Sequence, residues 1–162
     1  MERDEVDQLV EAWHRERHDL DLGPVEVFSR ITRLARLLDK VRREAFIAHE
    51  IEPWEFDVLA ALRRAGAPYE MSPGRLLRET LVTSGTMTNR VDRLAARGLV
   101  ERFPDPDDRR GVIVRLTAEG KTAVDGAFEA LIAAESRLLV DLPPRERARL
   151  AGLLRTLLAP FA

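Results

Sequence analysis

The stretch "TSGTMTNRVDRLAARGLVERFPDPDDRR", residues 83–110, decides the fold. Its first half has a helical period, with Met87, Val91, Leu94 and Ala95 at i, i+4, i+7 and i+8 on one apolar face. At 100° per residue Thr86, Asn89 and Arg93 gather on the opposite face. Thr and Asn are weak helix formers, whereas a solvated helix face is ordinarily filled with Glu, Lys and Ala. Thr83 or Ser84 can cap the start of this helix. Gly98 is placed to end it in a left-handed conformation. "LVERF" (99–103) and "GVIVRLT" (111–117) are β-like, and the turn-rich "PDPDDRR" between them predicts a hairpin.

Working outward toward the N-terminus, Ser72-Pro73 predicts an N-cap and first-turn proline for a short helix over 73–79, carrying Leu76 and Leu77. Before it, "AGAPYEMSPG" reads as a turn. A helix over 54–65 is apolar through Phe56, Leu59 and Leu62 and is opened by Pro53. A long helix is expected from Val25 to about Ala48, and an amphipathic one over 4–18 with Val6, Leu9, Val10 and Trp13 in its stripe. Toward the C-terminus, Thr117 caps a helix of about 118–138, and "DLPP" precedes a last, Leu-rich helix from Arg145 to about Leu158. The expected fold is mainly α with a small β-hairpin, a single domain over 1–162. Residues 53–117 form a winged helix-turn-helix. Residues 1–50 and 118–162 supply helices with more apolar surface than that small module covers, so a homodimer built from the N- and C-terminal helices is expected.

Composition excludes several functions. The 162 residues contain no Cys, which rules out disulfides, thiolate–zinc sites and cysteine nucleophiles and suits a reducing cytoplasm. No run approaches the ~18 apolar residues of a membrane span, and the acidic, amphipathic start does not resemble a secretory signal. Basic and acidic residues nearly balance, 26 against 28, so total charge does not point to nucleic acid. Two of the 26, Lys40 and Lys121, are lysines and the rest arginines, as a GC-rich genome would give. Charge must therefore be judged by its position.

Position favours DNA. In a helix-turn-helix the second helix enters the major groove, and short polar side chains and arginine read base edges there. Thr86, Asn89 and Arg93 have that chemistry on the face away from the core. Ser84, Thr88 and the helix N-terminus suit phosphate oxygens. The hairpin tip ends in Arg109-Arg110, which can lie along the backbone or in a narrow minor groove, with Asp107 and Asp108 orienting them. The bland alternative is an ordinary helical pair with a polar surface.

These residues carry a family resemblance. "WEFDVLAAL" followed by "MSPGRLLRETLVTSGTMTNRVDRLAARGLVERFPDPDDRRGVIVRLTAEGK" resembles the multiple-antibiotic-resistance regulator (MarR) family, from about residue 25 to the end. The resemblance implies a homodimeric transcription regulator, usually a repressor, binding a pseudo-palindromic double-stranded operator. It also makes Arg109 or Arg110 the wing arginine.

A ligand site is suggested beside the DNA face. Asp57 interrupts the apolar "FDVLAAL", and a buried carboxylate needs a partner. Arg90, between the exposed face and the core, is the candidate, and Arg102 on the first strand adds a second positive charge. One reading is a structural Asp57–Arg90 ion pair. The other follows from the extra first helix bearing Trp13, which is similar to the urate-responsive branch of the family, where a Trp, an Asp and two Arg form the site. On that resemblance Trp13, Asp57, Arg90 and Arg102 bind a small anionic aromatic effector, urate or a related purine. A different phenolic ligand, or none, is the alternative. His14 and His18 stand at i, i+4 but lack companions for a metal site. No cofactor is expected. An enzyme using Asp57 and the arginines would lack a nucleophile, a metal set or a phosphate loop, so none is expected either.

Overall fold

Where the sequence breaks its apolar rhythm, the chain turns. The structure, a computed structural model, describes residues 3–80, 83–106 and 111–161, with the backbone alone of Ser84. Its elements are α1 (Glu5–Glu16), α2 (Gly23–Ile47), α3 (Pro53–Arg64), β1 (Glu70–Met71), α4 (Pro73–Thr80), α5 (Ser84–Ala96), β2 (Val100–Pro104), β3 (Val112–Leu116), α6 (Ala118–Leu138) and α7 (Pro144–Leu158), then a 3-10 turn at Ala159–Phe161. The chain divides into two units between Val41 and Arg42.

In the first unit α1 is opened by a reciprocal cap. The Asp4 carboxylate accepts the N–H groups of Val6 and Asp7 at 2.8 and 3.0 Å, and Asp7 accepts the N–H of Asp4 at 2.8 Å. Arg30 on α2 closes over this cap, donating to Asp4 at 2.8 Å and to Asp7 at 2.7 Å. Its guanidinium, helped by the Asp7 N–H, lowers the Asp4 carboxyl to about 2. Val6 is buried beneath.

The second unit is built on one core. Phe46 from the end of α2, Leu59 and Leu62 of α3, Leu76 of α4, Met87, Val91 and Leu94 of α5, Val100 and Val114 of the sheet, and Val124 and Ala127 of α6 are all buried. Burying one such large apolar side chain stabilises by roughly 1.5–3 kcal/mol, which is what sets α5 on α3 and α4.

The antiparallel sheet runs β1–β3–β2, with Arg102 opposite Val114 and Val100 opposite Leu116. The hairpin is as expected, but 70–71 is a strand and not part of a turn. It pairs Glu70 with Arg115 and Met71 with Val114, and the Arg115 Nε donates to Glu70 at 2.8 Å. Two residues are too few to show a period, so only the pairing reveals the strand.

Two glycines lock α5 to its neighbours. Gly98 has φ +71°, and the N–H groups of Gly98 and Leu99 close on the Ala95 and Leu94 carbonyls at 2.9 and 3.0 Å, a Schellman ending. At the start of α6 the Thr117 hydroxyl accepts the Gly120 N–H at 2.9 Å and donates to the Gly98 carbonyl at 2.8 Å. Gly120 is pressed so close to this corner that a Cβ would stand 2.0 Å from the Leu99 carbonyl oxygen.

Candidate functional site

The core contacts of α5 determine which of its residues face outward. With Met87, Val91 and Leu94 buried, Thr86, Thr88, Asn89 and Arg93 are exposed, the face expected to meet DNA. Thr83 is the N-cap, but its side chain does not cap. Its hydroxyl instead pairs with that of Thr86 at 2.9 Å, so no side chain of Thr83 covers the first N–H groups. Ser84 begins the helix, and its side chain lies outside what is described, as do Arg109 and Arg110 of the hairpin tip.

Arg93, expected to read bases, rests on an aromatic surface. Its guanidinium lies 4.6 Å from the Trp54 ring centroid, and its Nη2 is 3.8 Å from a Glu52 carboxylate oxygen. Arg90, one turn earlier, lies 5.5 Å over the same ring. The Trp54 indole N–H donates to Glu52. Trp54 packs against the core, and it also carries both arginines.

The expected pairing of Asp57 with Arg90 is corrected. Asp57 accepts from Arg42, on the last turns of α2, and its side chain is 44% exposed, not buried. Arg42 is drawn there by two phenyl rings, lying 5.6 Å over Phe46 and 5.5 Å over Phe56, which themselves stack at 4.5 Å. Arg42 was not among the expected residues; the signal that could have found it is its spacing of four from Phe46. Arg102 on β2 donates to Asp92 on α5, tying the hairpin to α5. Trp13 is 51% exposed on α1 in the first unit.

The buried carboxylate of α3 is instead Glu55, 2% exposed. It accepts from Arg97 Nη1 at 2.5 Å and from the Glu52 N–H at 2.9 Å, while Arg97 Nη2 donates to the Glu50 carbonyl at 2.8 Å. This clamp joins the end of α5 to the start of α3. The Glu52–Glu55 spacing of three at a helix start is the sequence signature that points to it.

Between α3 and α6 lies a cleft of about 300 Å³ walled by Phe56, Ala60, Val124 and Phe128. At its edge Arg63 donates to Asp125 at 2.8 Å and lies 5.0 Å over Tyr69. The Arg63 hydrogen bond, and more weakly Lys121, hold the Asp125 carboxyl below the usual range. Among the described residues no three His, Asp or Glu side chains gather as a metal site, and no helix is long and apolar enough to cross a membrane.

A sequence profile of the MarR family matches residues 49–111. The HTH-type transcriptional regulator PecS of Dickeya dadantii is 35% identical over 150 residues, covering 93% of this chain and 90% of that protein. Two solved structures share the fold. A mutant of MarR from Escherichia coli complexed with operator DNA superposes with a TM-score of 0.70 at 29% identity, covering 88% of this chain and 96% of that one. Bordetella bronchiseptica BpsR, solved to explain regulation of its DNA binding by 6-hydroxynicotinic acid, gives 0.68 at 27% identity, covering 81% and 91%. The chain belongs to the MarR family, a winged helix-turn-helix family of DNA-binding transcription regulators, and its relatives are regulators rather than enzymes.

Proposed function

We propose that this chain is a homodimeric repressor that reads a pseudo-palindromic operator through α5 and leaves it when a small anionic aromatic ligand, urate or a related purine, binds. The observation that carries the DNA reading is the exposed row Thr86, Asn89 and Arg93 on a helix whose opposite face is buried. Arg93 donates to a base edge, Thr88, Ser84 and the N–H groups at the start of α5 hold phosphates, and Arg109 or Arg110 follows the backbone from the hairpin.

Dimerisation rests on apolar surface without cover. α7 has no buried residue, although Leu150, Leu153, Leu154, Leu157 and Leu158 line it. Val27, Phe28, Leu34 and Leu37 on α2 are likewise exposed. Exposed apolar area of this extent marks an interface, and residues 1–50 and 118–162 supply it while 53–117 bind DNA. A two-fold dimer then sets half-sites about one helical turn apart.

For the ligand, Trp13, Asp57, Arg90 and Arg102 remain the candidate set on resemblance. A planar anion bonded to Arg90 and Arg102 would draw Arg102 from Asp92 and loosen the hairpin from α5. A coupling of about 1–3 kcal/mol weakens operator binding roughly 5–150-fold. The test is fluorescence anisotropy on the chain's own upstream DNA, titrated with urate and other purines. Salt-sensitive binding released by urate supports the whole reading. Binding unmoved by any purine removes the effector and keeps the DNA reading, and no binding removes both. Arg93→Ala is expected to weaken operator binding by about 1–3 kcal/mol.

A further inference from the structure

Trp54 lies at the start of α3, outside the face that meets DNA, yet two arginines of α5 share its ring. Arg93 lies at 4.6 Å and Arg90 at 5.5 Å from the centroid. Their spacing of three places them side by side on the helix, above the one aromatic ring that α3 offers there. The ring itself is fixed, because Trp54 packs against the core and its N–H donates to Glu52.

We propose that Trp54 is a positioning residue of the DNA interface, holding the Arg93 guanidinium over its ring so that its edge donors are presented before DNA arrives. The inference rests on α5 being the helix that meets DNA. A free arginine loses much rotamer freedom when it is bound to a base or phosphate. A guanidinium already stacked on a ring keeps its in-plane N–H donors available and loses less on binding. Glu52 completes the device. At 3.8 Å between exposed groups its ion pair with Arg93 is weak, so a base edge of the operator replaces it readily. Glu52 therefore competes with DNA for the arginine that Trp54 presents.

The experiment measures operator and scrambled-DNA binding by anisotropy for the wild type, Trp54→Leu, Trp54→Phe, Glu52→Gln and Arg93→Ala, and for Trp54→Leu and Glu52→Gln each combined with Arg93→Ala. Trp54→Leu is expected to weaken operator binding about 2- to 5-fold, the contribution of one exposed cation–π contact, and to leave binding to scrambled DNA unchanged. Trp54→Phe, which keeps a ring, restores much of the loss. With Ala at 93, Trp54→Leu has no further effect. Should Trp54→Leu lose its fold by circular dichroism, Glu52→Gln decides: it tightens operator binding more with Arg93 present than with Ala. An equal Trp54 effect whether residue 93 is Arg or Ala overturns the inference, as does an equal Glu52→Gln gain in both backgrounds. Wild-type binding that Arg93→Ala weakens and Trp54→Leu does not overturns this inference alone. Failure of the wild type to bind DNA overturns the proposed function, and this inference with it.

Discussion

Replacing Arg97 by Ala tests the clamp that sets α5 against α3. Glu55 is 2% exposed, and its carboxylate has two donors, Arg97 Nη1 at 2.5 Å and the Glu52 N–H at 2.9 Å. Removing one partner of a fully buried pair costs about 3–5 kcal/mol, because the remaining charge is left without compensation. Arg97 is itself 38% exposed, so water reaches the vacated side and recovers part of that loss. The Glu52 N–H also stays. The net expectation is about 2–3 kcal/mol, or roughly 4–12 °C in melting temperature for a chain of this length. Replacing both residues by Leu should cost much less than Arg97→Ala, since no charge is then left buried. The assay is urea unfolding followed by circular dichroism at one fixed protein concentration, because the proposed dimer would make stability depend on concentration. A loss below about 0.5 kcal/mol for Arg97→Ala, the level of an ordinary surface change, refutes the reasoning.

Other expectations follow from single contacts. Gly120→Ala places a Cβ 2.0 Å from the Leu99 carbonyl oxygen, and since backbone has to move, a loss of about 2–3 kcal/mol is expected; an unchanged urea midpoint contradicts it. The Asp4 carboxyl is held at about 2 by Arg30, below its ordinary 3.8, so its contribution is complete above about pH 4 and is lost as the pH falls through about 2. The stability gap between wild type and Asp4→Asn should therefore be open at pH 7 and close over that acid range; a gap indifferent to pH refutes the assignment. Asp125 acts in the same direction through Arg63. Leu157→Glu, on the uncovered face of α7, should convert the proposed dimer to monomer in sedimentation velocity, and an intact dimer moves the interface elsewhere.

Features that depend on near neighbours could be read from the residues alone. The apolar spacing of Met87, Val91 and Leu94, the cap at Thr117 and the left-handed Gly98 each act within a turn or two of chain, so the helices, the hairpin and the outward face of α5 were legible. The strand at 70–71 was not, because its only mark is pairing with β3 across more than forty residues. Tertiary structure alone decided where the long charged side chains go. Asp57 is bonded to Arg42, Arg90 rests on Trp54, Arg102 turns to Asp92, and Glu55 takes the buried place. A methylene stem lets an arginine reach in many directions, and the partner it keeps is the ring or carboxylate that packing of distant elements brings within reach.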